Sequence, residues 1–411
     1  MDKEIYIYFD DVNTDNPLFV GILLAQQVRG REVFSFQFDE KWLADSCCHL
    51  LDPDLQLYKG RQYLPENKSN FGLFLDSSPD RWGRVLLDRR ESYRAKNENR
   101  PRLNLMESDY LLGVFDECRM GALRMKLSPD GDSLDNDPTY STPPFTSLRY
   151  LERAVWRLEH NDGTDDSHWL QMLLAPGSSL GGARPKANVK DEKGNLWIAK
   201  FPSRNDRKNV GAWEALTMTL AKQCGIKVAP FKATRLANRS STFLTKRFDR
   251  IDGKRIHFTS AMTMLGYSDG ETSGCSYLEL FEWISRNCCD VKENLAEMWR
   301  RIVFNIAVSN CDDHLRNHGF LLTKNGWTLS PAYDLNPQEY GNGLSLNINE
   351  NNNALDFQLA IDVAQYAGIT LSEAQTFIKH TTDVVSGWRK WANLYHISRD
   401  EQEMMATAFK V

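Results

Sequence analysis

Between residues 291 and 334 the chain sets out an order of residue types that few folds accommodate. Leu295, Met298, Ile302, Val303 and Ile306 recur at three- and four-residue spacing, which predicts a helix buried along one stripe. Asn310-Cys-Asp-Asp-His-Leu-Arg-Asn317 follows, with acids at 312 and 313, an imidazole at 314 and an amide at 317. Gly319–Leu322 and Gly326–Leu329 then flank Thr323-Lys-Asn325 and read as a hairpin. Asp334 stands just beyond it, in Leu329-Ser-Pro-Ala-Tyr-Asp-Leu335. Carboxylate and amide oxygens in such loops suit a hard cation such as Mg²⁺, and one carboxylate is placed to accept a hydroxyl proton.

Composition bounds the remainder. A chain of 411 residues exceeds one ordinary domain of about 100–200 residues and predicts two or three units. Fifty basic against 55 acidic residues leave a net charge of −5, which excludes a wholesale nucleic-acid coat but not a local basic patch. Eight cysteines are too sparse for a disulfide framework. The adjacent pairs Cys47-Cys48 and Cys288-Cys289 have the wrong spacing for a zinc knuckle. The charged start, MDKEIYIYFDD, does not read as a signal peptide. No apolar run reaches the roughly 18 residues of a membrane span, so a cytoplasmic location with no membrane partner is expected.

Along the chain, alternation in Ile5–Phe9 and Val33–Phe38 predicts strands separated by Asp-Asn-Pro and Arg-Gly turns. Residues 79–96 read as a helix, with Trp82, Val85, Leu86 and Arg89 on one face and Pro79 in its first turn. From Asp80 to Arg102 there are eight basic and four acidic residues, either a solvated face or a docking face. The polar, Pro-rich stretch 128–146 is the main boundary. It separates an N-terminal subdomain (1–130) and linker (131–146) from a second unit (147–265) and a helical third (266–411). Ser147–His160 reads as a helix and 187–201 as a hairpin around Asp-Glu-Lys-Gly-Asn. Lys200 ends that hairpin on the face of Leu196 and Ile198, a place where a lysine needs an anionic partner. A helix over 209–224 carries Trp213, Leu216 and Leu220, with Glu214 beside the stripe. Thr370-x-x-Glu373 is the pattern of a capping box.

Three further groups carry chemistry. Ala175-Pro-Gly-Ser-Ser-Leu-Gly-Gly-Ala-Arg-Pro-Lys186 has glycines, including Gly181 and Gly182, that let backbone N–H groups approach oxyanions, with Lys186 closing it. It is neither a Walker A loop nor GxGxxG, and a plain flexible turn is the alternative. Lys200 has the place of a nucleotide-phosphate lysine, and Glu214 that of the helix glutamate pairing with it in protein kinases. Asp312-x-x-x-x-Asn317 has the spacing of a kinase catalytic loop. Asp334, beyond the hairpin, has the place of the second metal-binding carboxylate. His314-xxx-His318 has the spacing of zinc ligands, but Leu315 replaces the glutamate a zinc protease needs.

Together, Ser179–Lys186, Lys200, Lys246-Arg-Phe-Asp-Arg250, Asp312–Asn317 and Tyr333-Asp334 resemble the HipA family, the kinase toxins of bacterial HipA/HipB toxin–antitoxin modules. Phe74–Arg84 and Leu112-Gly-Val-Phe-Asp resemble that family's N-terminal subdomain, so the resemblance covers nearly the whole chain. It implies an α+β, bilobal protein-kinase-like fold with a small N-terminal α/β subdomain and a mainly helical C-lobe. It implies serine/threonine kinase activity with ATP and Mg²⁺. Lys200 would hold phosphates, Lys246 to Asp249 would be the hinge, and Phe248 would lie at the adenine. Asp312 would be the base, His314 would organise its loop, and Asn317 and Asp334 would bind Mg²⁺. Ser179, with Ser178 beside it, would be the autophosphorylated serine. The implied partners are a protein substrate of translation, such as an aminoacyl-tRNA synthetase, and a HipB-like helix-turn-helix antitoxin. No helix-turn-helix precedes the first strands, so DNA contact is expected only through that partner. Arg184-Pro185 before the loop lysine, Lys246 in the hinge and Phe258-Thr-Ser-Ala261 after His257 depart from the family pattern. A small-molecule or lipid kinase, a catalytically silent nucleotide binder and a DNA-binding regulator are the alternatives.

Overall fold

The computed structural model describes residues 2–45, 48–65, 68–133, 142–160, 173, 182, 184–270 and 274–411. Ser178, Ser179 and Gly181 of the expected phosphate loop, and residues 134–141 of the expected linker, lie outside them. The chain forms two compact units, residues 1–199 with 249–268, and residues 200–248 with 269–411.

The first unit is built on a five-stranded antiparallel sheet. Its strands are β1 (Lys3–Phe9), β2 (Leu18–Val28), β3 (Arg31–Phe38), β4 (Arg61–Tyr63) and β5 (Leu123–Lys126), in the order β4-β3-β2-β1-β5. The alternation has its expected consequence: Ile5, Ile7 and Phe9 are buried while Tyr6 and Tyr8 are not. Arg29 (φ 50°) and Gly30 (φ 80°) join β2 to β3, the two positive φ angles that match a tight hairpin to strand twist.

The helix expected over 79–96 runs Arg81–Asn97, two residues later at its start, because Asp80 caps it by accepting from Gly83 N at 2.7 Å. Trp82 and Leu86 are buried as expected, but Val85 is exposed and Leu87 faces the core instead. The basic run is only partly drawn inward: Arg81, Arg89, Arg94 and Lys96 are exposed. Arg84 forms a two-pronged pair with Glu107, Arg100 pairs with Glu91 and Glu98, and Arg102 with Asp88. Arg90 is buried and donates to Gly113 O. The same unit holds the helix Leu148–His160 and the strands β6 (Lys186–Lys190) and β7 (Leu196–Lys200), whose last residue already belongs to the second unit.

The second unit is mostly helical. Its helix Val210–Gln223 buries Trp213, Leu216, Leu220 and Ala221 against Phe304, Val308, Leu335, Trp388 and Phe409. Beside it run the antiparallel strands β8 (Phe231–Thr234) and β9 (Thr242–Lys246). The helix Val291–Val308 buries the whole predicted stripe, and a hairpin of Gly319–Thr323 with Gly326–Leu329 follows it. The capping box at Thr370 forms, with Glu373 accepting from Thr370 N at 2.8 Å. The seven cysteines among the described residues are free. No described helix is long and apolar enough to cross a membrane.

Candidate active site

The helix Val291–Val308 ends at Ser309 in a left-handed turn (φ 50°), and the polar segment begins there. Asp313 points into the protein and is 2% exposed. Its carboxylate accepts from Asn305 Nδ2 (2.8 Å), from His318 Nε2 (2.8 Å) and from the Tyr277 hydroxyl. Burial alone would raise its pKa, but these partners outweigh that and hold it below the ordinary value. The neighbouring Asp312 is exposed, with its carboxylate outside the bonds that hold Asp313. Its pKa is raised, first by partial burial and then by the nearby Asp334 and Asp313 carboxylates, against a lowering effect of His314. Asn317 Nδ2 donates to Asp312 O at 2.9 Å and closes the loop.

Lys200 supplies the second half of the constellation. Its Nζ lies 2.6 Å from Glu214 Oε1 and 2.6 Å from Asp334 Oδ1, with side chains 13%, 2% and 33% exposed. The anionic partner that the aliphatic strand face demanded is therefore double. Burial would lower the lysine's pKa, but the two carboxylates overcome it and raise it, so the ammonium stays charged. Asp334 occupies the left-handed region (φ 56°), and Asn336 Nδ2 donates to its Oδ1 at 3.0 Å. Phe248 packs its ring 5.6 Å from that of Tyr333, next to Asp334, while Lys246 lies at the end of β9. Within the second unit the structure thus brings together Lys200, Glu214, Phe248, Asp312, Asn317 and Asp334.

His314, expected to organise the loop, lies within it: its backbone N donates to Asp312 O at 3.0 Å, its O accepts from Asn317 N at 2.8 Å, and its imidazole acts electrostatically on both Asp312 and Asp313. His318 Nε2 bonds Asp313 directly at 2.8 Å, a pairing that the spacing Asp313-x-x-x-x-His318 already carried. Lys186, expected to close the phosphate loop, lies 2.6 Å from Asp80 Oδ2, with side chains 1% and 3% exposed. Gly182, at φ 101°, lies close to that lysine's Nζ.

The residues present suit Mg²⁺. Asp334 and Asn317 offer carboxylate and amide oxygens, and Asn336 Oδ1 is a buried oxygen without a partner close to Asp334. Mg²⁺ takes oxygen ligands, often one or two from the protein with the rest from phosphates and water.

The profile of the HipA-like C-terminal domain matches residues 178–388. A Sinorhizobium fredii protein, provisionally named kinase Y4mE, is 29% identical over 147 residues, covering 34% of this chain and 33% of that one. The serine/threonine-protein kinase toxin HipA of Shewanella oneidensis is 26% identical over 227 residues, covering 47% and 50%. The chain thus matches half or less of the length of these curated relatives. The structure of the Shewanella oneidensis HipA, HipB and operator DNA complex contains a chain that aligns with a TM-score of 0.64 at 19% identity. That alignment covers 98% of this chain and 94% of the other, a likeness of fold. With half of its residues matched by the family profile and its helices and sheets arranged in the α+β, kinase-like fold, the chain belongs to the HipA family.

Proposed function

We propose that this protein is an ATP- and Mg²⁺-dependent serine/threonine protein kinase, the toxin of a HipA/HipB-type module acting in the cytoplasm. The observation that carries the reading is the charge bridge Glu214–Lys200–Asp334 beside an outward-facing Asp312. It is the lysine, helix glutamate and metal-binding aspartate that phosphoryl transfer needs. Lys200 would hold the phosphates and Glu214 would fix the lysine. Phe248 and the backbone of Lys246 would border the adenine, and Asn317 with Asp334 would hold Mg²⁺. Bound there, Mg²⁺ and ATP would supply the transferable phosphoryl group and neutralise its charge. Asp312 would accept the hydrogen bond of a substrate serine or threonine hydroxyl and align its oxygen. Its raised pKa suits a proton acceptor better than that of Asp313, which is committed to His318 and Tyr277.

The family resemblance extends the reading. Ser179 or Ser178, in the glycine-rich loop with Gly181 and Gly182, would be autophosphorylated. A phosphate there adds about −1.5 to −2 charge and would repel nucleotide phosphates. The protein substrate would be a translation component such as an aminoacyl-tRNA synthetase. A HipB-like antitoxin would supply the DNA contacts, in keeping with the complex formed by the Shewanella relative. The test is incubation with Mg·ATP followed by mass spectrometry. Phosphate on Ser178 or Ser179 in the wild type, absent from Asp312→Ala and Asp334→Asn proteins with unchanged circular dichroism, is the expected result. Phosphorylation surviving both substitutions overturns it.

A further inference from the structure

The loop that carries Asp312 and the loop that carries Asp334 are joined by a continuous hydrogen-bonded chain of asparagines. Asn336 Nδ2 donates to Asp334 Oδ1 (3.0 Å), and Asn336 N donates to Asn310 Oδ1 (3.1 Å). Asn310 Nδ2 donates to Asn305 Oδ1 (3.0 Å), and Asn305 Nδ2 donates to Asp313 Oδ2 (2.8 Å). His318 Nε2 and the Tyr277 hydroxyl close the chain on the same Asp313 oxygen. A backbone bond from Gln338 N to Ser309 O (3.0 Å) runs alongside.

Both inner carboxamides are spent end to end. Asn305 and Asn310 are 1% and 0% exposed, and each accepts through its oxygen and donates through its nitrogen. A carboxamide does both from one neutral side chain, with the donor and the acceptor on separate, fixed atoms. Aspartate would set oxygen against oxygen at either place, and leucine would strand buried partners. In a buried setting such bonds also polarise one another, so the chain acts as a unit. Asn305 sits in the last turn of Val291–Val308, the most buried helix of the unit, so both loops are referred to one rigid anchor.

We propose that Asn305 and Asn310 are positioning residues that hold Asp312 in register with Asp334. Neither touches the reacting atoms. Each acts through Asp313 on one side and Asn336 on the other. The inference rests on the kinase reading above. Misplacement of a reacting group by about 1 Å costs up to about 100-fold in rate, whereas nucleotide binding through Lys200 and Asp334 does not require that register.

The test compares the wild type with Asn305→Ala, Asn310→Ala and the double variant. Phosphate release from Mg·ATP gives kcat and KM, and a fluorescent mant-ATP titration reads binding apart from turnover. The expected result is a fall in kcat of about 10- to 100-fold in each single variant, with KM and mant-ATP affinity within about threefold of wild type. The double variant should be no worse than about threefold below the weaker single, because both break one chain. Asn310→Ser, whose shorter side chain cannot span both partners yet keeps a polar group in the buried site, carries the same comparison if the alanine variant does not fold. Unchanged kcat in folded single variants, or losses that multiply in the double, overturns the proposal. A wild type that neither binds mant-ATP nor releases phosphate instead overturns the kinase reading itself.

Discussion

Replacing Lys200 by Met removes one cation and leaves two carboxylates. The ammonium lies 2.6 Å from each of Glu214 and Asp334. At an effective dielectric of about 20, attraction across that separation is about 6 kcal/mol per contact, and desolvation of the buried ions offsets most of it. The two acids then differ in what they can do. Asp334, with its side chain 33% exposed, is rehydrated, whereas Glu214, at 2%, loses its cation where water does not reach it. The cost is therefore set by Glu214 and amounts to about 3–5 kcal/mol, the range for removing one member of a buried pair. A buried glutamate that has lost its cation has a folded-state pKa raised above its unfolded value. The destabilisation is thus felt as pH rises through that pKa and shrinks on acidification. Lys200→Met/Glu214→Leu should recover most of the stability while leaving nucleotide binding lost. Urea unfolding followed by circular dichroism at pH 7 and pH 5 measures this, as a midpoint shift at constant slope. A loss below about 1 kcal/mol at pH 7, the worth of an exposed pair, would refute the buried bridge. So would a double variant no more stable than the single.

Two further outcomes follow from the first unit. Lys186→Met should leave the buried Asp80 carboxylate without its cation and cost about 3–5 kcal/mol in urea unfolding, and an unchanged midpoint would contradict the buried pair. His257 is buried edge-on against Phe9, and burial, with His49 nearby, lowers its imidazole to about 3. A histidine held neutral in the fold contributes stability that is present above its unfolded value of about 6.5 and lost as pH falls from there towards 3, by up to about 5 kcal/mol. His257→Phe should flatten that part of the pH–stability curve, and an equal decline in both proteins would dispose of the idea.

Much of the local structure was legible because it follows periodicities of 2 and 3.6 residues. The burial of Ile5, Ile7 and Phe9, the stripe on Val291–Val308 and the capping box at Thr370 each depend on neighbours within a few positions. The candidate site was legible in part because Lys200, Glu214, Asp312, Asn317 and Asp334 stand in an order that one chemistry explains. Lys200 ending an aliphatic face already required an anion, and two are present. Less legible were residues whose partners are remote. Nothing in the run from Asp80 to Arg102 marks Arg84 for Glu107, or separates the buried Arg90 from the exposed Arg89. His314 and His318 are indistinguishable by type, and only the position of Asp313 separates them.

Helix and strand placement, the apolar stripes and the identities of the charged groups were determined by the sequence alone, since backbone periodicity and side-chain chemistry act over short range. Which carboxylate faces solvent and which lysine keeps a buried pair was decided only by the tertiary structure. So was the closing of three asparagines into one chain, because hydrogen bonds and ion pairs depend on distances of about 3 Å between groups that the chain path alone brings together.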